Sequence, residues 1–406
     1  MAAPIRTRGS LLLLAYLGFV SLGLPDGLLG VGWPSIRDEF AVSTASVGFV
    51  LAVGTAGYLA ASVAGGFSVA RLGVGLLLTV STLTAAVALI GYALSPTFVV
   101  LVCLALLLGL GSGAVDSGLN AYAAVAFGPR HMNWLHAFFG FGVALGPLIM
   151  TAVLQAGYSW RWGYVVVAAA QILLAIAFGL RIQSWTARAV GVAAAGAQVR
   201  RRATLTLPAV WVGALSFAVY TGIELGAGLW AFVLLTDGRG LSVGAAGAGV
   251  SAYWGALFVG RIVFGVVAER VGSRAVLTTG LVGVVAGTAL LALPAPAAVA
   301  VAGLVVTGFA AAPVFPLLTL TTADRVGAAH ADRAIGLQIA AAGLGGAAVP
   351  AGIGAVMQQH GVDWLGPALL GMAVALLVLT TAQPTRRRAG SPPGRETPPA
   401  PFAPGA

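Results

Sequence analysis

Three acidic side chains, Asp26, Asp116 and Glu224, lie deep inside long apolar runs. A carboxyl group at the middle of a membrane helix costs about 3 kcal/mol on insertion scales, so each needs a reason to be there. One reason is to take up and release a proton as the surroundings alternate. The bland alternative is an acid that merely bonds a neighbouring helix or stays protonated. Asp116 has company: Asn120 lies one helical turn further on the same face, and His136, early in the next apolar run, falls at a similar depth. A carboxylate, an amide and an imidazole converging there would form a polar pocket able to bind hydroxyl groups and shuttle a proton. Arg261, two turns inside a later run, either partners a carboxylate or ligand or snorkels to the nearer surface.

Composition sets the elements that must hold these groups. Hydrophobic residues make up 59% of the 406 positions and charged residues 8%, against about 25% charged in an ordinary soluble domain. Apolar runs of roughly 20 residues, enough to cross the hydrocarbon core as helix, recur throughout. They predict helices at 10–33, 44–66, 73–94, 97–124, 133–156, 161–181, 207–234, 243–268, 274–294, 296–320, 334–357 and 364–382. The expected fold is an all-α integral membrane protein of 12 transmembrane helices in two six-helix, pseudo-symmetric halves, 1–181 and 207–384. A basic cytoplasmic linker, 182–206, would join them, and a proline-rich tail, 385–406, would be disordered in the cytoplasm. Arg6 and Arg8 followed by Leu11–Leu14 mimic a secretory signal, but no convincing small-residue cleavage site follows, so the segment is read as a retained first helix.

All 21 basic residues are arginines, and the net charge is +10. Such a balance can mark nucleic-acid binding, but here the arginines are spread over short loops. With the N-terminus inside, seventeen fall in cytoplasmic segments and three, Arg37, Arg161 and Arg239, outside. This bias predicts a multi-pass protein of the cell (inner or plasma) membrane with both termini cytoplasmic. Cys103 alone can form no intrachain disulfide and no multi-cysteine metal site. Without a Walker A loop, a metal-ligand cluster or a nucleophile with its base, neither an enzyme nor a cofactor is expected. The expected partners are the lipid bilayer, a small-molecule substrate and a proton or sodium ion, without nucleic acid, and the expected state is a monomer.

The two halves repeat. Gly66-x-x-x-Ala70-Arg71-x-Gly73 recurs 199 positions on as Gly265-x-x-x-Glu269-Arg270-x-Gly272-x-Arg274, and Asp26 and Glu224 are 198 apart. His136 and Gln338 are 202 apart, and the near-constant offset indicates a duplicated six-helix unit. The loop resembles the signature of the major facilitator superfamily. The resemblance implies twelve helices and alternating access, with the loop acting in conformational change; the first copy lacks the family's acid, which is Ala70 here. The glycines would allow close helix packing, while acid and arginine tie the loop to neighbouring helix ends.

A narrower resemblance covers Gly111-Ser-Gly-Ala-Val-Asp116-Ser-Gly-Leu-Asn120, Met132-Asn133-Trp134-Leu135-His136 and Leu24-Pro25-Asp26, which are similar to segments of the fucose/hexose:proton symporter family. It implies that Asp26 and Asp116 handle a proton and sugar hydroxyls and that His136 contacts substrate. Tyr220-Thr-Gly-Ile-Glu224-Leu-Gly-Ala-Gly-Leu-Trp230 resembles a helix 7 motif of the branch with sodium-dependent glucose transporters. Tyr220, Trp230, Tyr253 and Trp254 offer aromatic faces, either packing or stacking on a sugar. Gly142-x-x-x-Gly146-Pro147 resembles instead a motif of proton-coupled drug exporters, although such a patch also serves ordinary packing. The expected function is proton-coupled transport of a small polar solute, foremost a sugar; the alternative is a drug or metabolite exporter of the same superfamily.

Overall fold

In a bilayer every backbone N–H and C=O must be bonded within the protein, so each long apolar run becomes a helix. The computed structural model describes residues 5–127, 129–185 and 201–382. Most of the expected linker and the whole expected tail lie outside the described residues. The membrane helices are α1 (Ile5–Phe40), α2 (47–72), α3 (74–94), α4 (Phe98–Ala126), α5 (Pro129–Gln155) and α6 (Arg161–Leu180). The second set is α7 (Pro208–Val233), α8 (Val243–Val271), α9 (Ser273–Ala292), α10 (Ala297–Leu320, interrupted at Ala312 and Pro313), α11 (Ala328–His360) and α12 (Leu365–Thr381). Helices α2 and α3 follow each other with Gly73 alone between them, in a non-helical conformation that breaks the chain into two helices. Counted with α2 and α3 as one stretch, eleven described helical stretches are long and apolar enough to span a membrane, and the break at Gly73 makes twelve passes. The loop expected at 67–72 is helical.

At that break Gly73 has φ 70°, and its counterpart Gly272 has φ 96°. A left-handed backbone favours glycine, which accounts for this pair in the repeated motif. Packing repeats as the sequence does. Helix α5 packs on α1 as α11 does on α7, α4 on α2 as α10 on α8, and α6 on α3 as α12 on α9.

Small residues bring backbones together within each half. A Cβ at Gly142 of α5 would strike the Val20 carbonyl of α1, and one at Gly146 would lie 2.6 Å from Gly27 Cα. The Gly142-x-x-x-Gly146-Pro147 patch is therefore occupied in packing. In the second half a Cβ at Gly222 of α7 would lie 2.6 Å from Val349 Cβ of α11. Between the halves, α1 meets α7 at Gly30 and Gly228, α2 meets α11 at Gly48 and Ala351, and α5 meets α8 at Thr151 and Gly247. These contacts lie toward the end where α1 and α5 finish, the end that the arginine count places outside. They reach mid-helix at Gly140 against Phe258 and Gly343 against Thr55. Beyond that level no described glycine touches the other half, and a cleft opens.

Two ionic clasps hold the helix ends at the rim where the halves meet. Glu39 of α1 binds Arg161 of α6 at 2.6 Å and accepts from Trp160 Nε1 at 2.6 Å. Arg161 also donates to the carbonyls of Ala93 (2.7 Å) and Ser95 (2.9 Å), at the end of α3. In the other half Arg239, just past α7, pairs with Asp363 before α12 and donates to the Leu293 carbonyl after α9 at 3.3 Å. The same three helix ends are tied, with acid and arginine exchanged.

Gly142→Ala is expected to lower the unfolding temperature in detergent, because overpacking costs about 1–3 kcal/mol. Gly66→Ala, whose added Cβ meets nothing within 4 Å, is expected to fold as the parent does. Scanning fluorimetry of both checks the seam. By the same measurement Arg161→Ala is expected to destabilise more than Glu39→Gln. A partly exposed ion pair contributes about 1 kcal/mol at most, whereas Arg161 also satisfies two carbonyls, and an orphaned buried acceptor costs about 1–3 kcal/mol.

Candidate functional site

Proline positions the first acid. Pro25 has no N–H to offer the Ser21 carbonyl one turn back; Gln171 of α6, 2% exposed, donates its amide there at 2.9 Å. This bond ties α1 to α6 beside Asp26. Leu24, Leu28 and Leu29 are buried, while Asp26 itself is exposed in the cleft. Its carboxyl forms no hydrogen bond or ion pair with a described residue, and Tyr58, Tyr92 and Tyr164 lie close enough to feel its charge.

Asp116 is held on both oxygens. The Tyr58 hydroxyl donates to Oδ2 at 2.8 Å and the Asn120 amide to Oδ1 at 3.0 Å. Tyr58 reaches across from α2 because Gly109 and Gly113 let α4 press against the backbone at Gly54 and Tyr58. The Asn120 carbonyl oxygen is buried and unpartnered, an acceptor left over. His136 of α5 is exposed, meets Phe19 edge-on at 5.2 Å, and lies within electrostatic reach of both Asp116 and Arg261. Asp116, Asn120 and His136 are thus brought near one another, and Tyr58 holds the Asp116 carboxylate from α2.

Glu224 belongs to the facing half. Arg261 of α8 binds its carboxylate at 3.3 Å, and Tyr253 donates to its backbone carbonyl at 2.8 Å. Arg261 therefore turns inward instead of snorkelling. Its Nη1 lies 3.8 Å from where a Cβ on Gly140 of α5 would stand, so the guanidinium abuts the first half, and its Nε is buried without a partner. The aromatic faces are spent on packing: Tyr220, Trp230, Tyr253 and Trp254 are buried, Tyr220 donating to the Ala311 carbonyl at 2.9 Å and Trp230 to that of Pro350 at 2.8 Å. Gln338, the counterpart of His136, is buried and accepts from Thr322 at 2.9 Å.

The repeated loop residues Gly66, Arg71 and Gly73, and Gly265, Glu269, Arg270, Gly272 and Arg274, sit at the opposite, open end, away from these groups. Arg71 stacks over Phe67 at 4.9 Å. Among the described residues Glu269, Arg270 and Arg274 form no ion pair, so the expected tie to neighbouring helix ends is not made in this conformation. A recess lined by Gly272, Ser273, Arg274, Thr321 and Asp324 lies beside that loop. Burial, and then the neighbouring Arg274, push the Arg325 guanidinium below its ordinary range. Sequence reading missed Tyr58, which carries no local pattern, and the Glu39–Arg161 clasp, whose partners are 122 positions apart.

Chemically, the cleft presents one exposed carboxyl, one carboxylate fixed by two donors, an accessible imidazole and an arginine neutralised by an acid across the way. That set offers carboxyl, amide, phenol, imidazole and guanidinium groups for polar contacts. The chain is 24% identical over 272 residues to the human sodium-dependent glucose transporter 1, a match covering 58% of this chain and 52% of that protein, so the chain aligns with about half of its length. Its fold is similar to the crystal structure of a mutant of the nucleoside transporter NupG, with TM-score 0.76, 15% identity, and 93% of this chain and 99% of that one covered. It is likewise similar to the D-xylose-proton symporter, with TM-score 0.75, 16% identity, and 93% and 98% covered. The sequence pattern of the Major Facilitator Superfamily matches residues 15–350 and again 217–405, so the chain belongs to that superfamily and is a membrane transporter, not an enzyme.

Proposed function

We propose that this transporter moves a small hydroxyl-bearing solute, most readily a sugar, across the cell membrane by alternating access and draws on the proton gradient to do so. The observation that carries the reading is the pairing of a proton-competent cluster in one half, Asp116 with Tyr58, Asn120 and His136, with a compensated ion pair, Glu224 with Arg261, in the other. Asp116 and Asp26 serve coupling and recognition. Asn120 and His136 supply solute contacts, and Glu224 fixes the cation at the seam. The halves 1–181 and 207–384 rock about the site. With both termini cytoplasmic, as the arginines indicate, the cleft opens inward. The names of a glucose transporter, a D-xylose-proton symporter and a nucleoside transporter among similar proteins support solutes with ring hydroxyls. The glycine patch that favoured a drug exporter is accounted for by the α1–α5 seam. A second reading, coupling to sodium, is favoured by the name of the human relative.

Purified protein in vesicles, given labelled D-glucose, D-xylose or uridine, is expected to accumulate one of them when the outside is acidic, with no need for sodium. Accumulation that follows an imposed sodium gradient and ignores pH would establish the second reading. Expulsion of hydrophobic cations with no sugar or nucleoside movement would refute both.

Asp116→Asn is expected to abolish proton-driven accumulation while leaving solute binding within about tenfold. A side chain that titrates during transport loses only the driven step, a difference visible when accumulation is compared with binding by calorimetry.

A further inference from the structure

Asp26 and Asp116 stand on different helices, and Tyr58 stands between them. Its hydroxyl donates to Asp116 Oδ2 at 2.8 Å, while its ring lies within reach of the charge on Asp26. Three features make this more than incidental. Asp26 is exposed to the cleft and has no partner among the described residues, so it is free to exchange protons with water there. Asp116 accepts from the Tyr58 hydroxyl on Oδ2 and from the Asn120 amide on Oδ1, so the phenolic proton is already seated on the carboxylate it would pass to. The Tyr58 backbone is pinned by the close approach of Gly113, which fixes where the hydroxyl can point. Other charged or titratable groups facing this cluster are Tyr92 from α3 and Tyr164 from α6 beside Asp26, His136 from α5 beside Asp116, and Arg261 from α8 beside His136. Among these groups Tyr58 is the one that both bonds the Asp116 carboxylate and lies within reach of the charge on Asp26.

We propose that Tyr58 relays the coupling proton between Asp26 and Asp116, an inference that rests on the proton-coupled reading above. As protonated Asp26 gives its proton, through one cleft water, to the Tyr58 oxygen, the original Tyr58 hydroxyl proton passes to Asp116 Oδ2. One O–H bond breaks at Asp26, one forms at Asp116, and Tyr58 is a neutral phenol before and after. Tyr58 thus positions and conducts; it is not a solute contact.

The test compares two transport modes in proteoliposomes, using whichever of D-glucose, D-xylose and uridine the parent protein accumulates. Counterflow exchanges labelled for unlabelled solute and needs no net proton movement; accumulation under an imposed pH gradient does. Tyr58→Phe removes only the hydroxyl and is expected to reduce accumulation at least about tenfold, the lower part of the range for lost proton transfer, while counterflow stays within about twofold of the parent. Undiminished accumulation overturns the relay, and so does loss of both modes with a raised KM, the mark of a solute contact. If Tyr58→Phe fails to give monodisperse protein, the parent in heavy water decides instead. Slower accumulation with unchanged counterflow supports the relay, and equal rates overturn it. A parent that accumulates nothing under a pH gradient, or an Asp116→Asn variant that accumulates normally, refutes the proton-coupled reading itself and is distinguishable from failure of Tyr58 alone.

Discussion

A charge or an unbonded polar group costs far more in a bilayer than in water, and that cost organises this molecule from its backbone to its cleft. It turns each apolar run into a helix. It leaves the Ser21 carbonyl, freed by Pro25, in need of a donor, and Gln171 crosses from α6 to supply one beside Asp26. At the outer rim it draws Arg161 onto two helix-end carbonyls as well as onto Glu39. In the cleft it leaves Arg261 bound to Glu224 and Asp116 doubly bonded. Of the three acids deep in the helices, Asp26 has no such partner among the described residues, and it is exposed in the cleft.

Duplication repeats the scaffold more faithfully than the chemistry. Glycine seams, positive-φ turns and rim clasps recur with an offset close to 200 residues, since each answers a demand of helix packing that both halves share. The polar groups diverge. His136 is exposed, while Gln338 is buried in a bond to Thr322. The position 199 beyond Asp116 is Phe315, packed edge-on against Phe217 at 5.0 Å. Around the cleft the first half thus supplies Asp26, Asp116 and His136, and the second supplies a compensated ion pair and an aromatic core. Even the clasps follow this logic, because an acid and an arginine can trade places and still join the same helix ends.

Much of this was legible in the residues. Hydropathy placed every helix, with bounds that differ by up to seven positions, because length and apolarity in a bilayer leave few alternatives to a span. The assembly of Asp116, Asn120 and His136 was legible from helical spacing and matched depth. Tyr58 was not, because its partner lies 58 positions away on another helix and the contact depends on how closely Gly109 and Gly113 let α4 approach. Arg261 was left open between two readings for a similar reason: depth alone cannot tell a snorkelling arginine from one whose acid, Glu224, stands on the neighbouring helix. The break between α2 and α3 reads as a loop over 67–72, whereas helix continues to residue 72 and Gly73 alone makes the turn.

Seams and clasps also bear on motion. Within a half, α1 lies backbone to backbone with α5, and the clasp secures its outer end to α3 and α6; such contacts have little freedom to slide. Between halves, the meetings run from Gly48 with Ala351 and Gly247 with Thr151 at one rim to Gly140 with Phe258 and Gly343 with Thr55 at mid-helix, and the described glycines make none beyond. Two bodies stiff inside and joined over one part of their length are suited to rocking as units. Arg261, attached to the second half yet abutting Gly140 of the first, sits where that rocking would be felt. Its distance from Asp116 and His136 must change whenever the halves part there, whereas its bond to Glu224, between α7 and α8 of one half, need not. The position of the charge relative to the titratable cluster is therefore tied to the conformation, and that is the physical requirement for coupling a proton to movement of the halves.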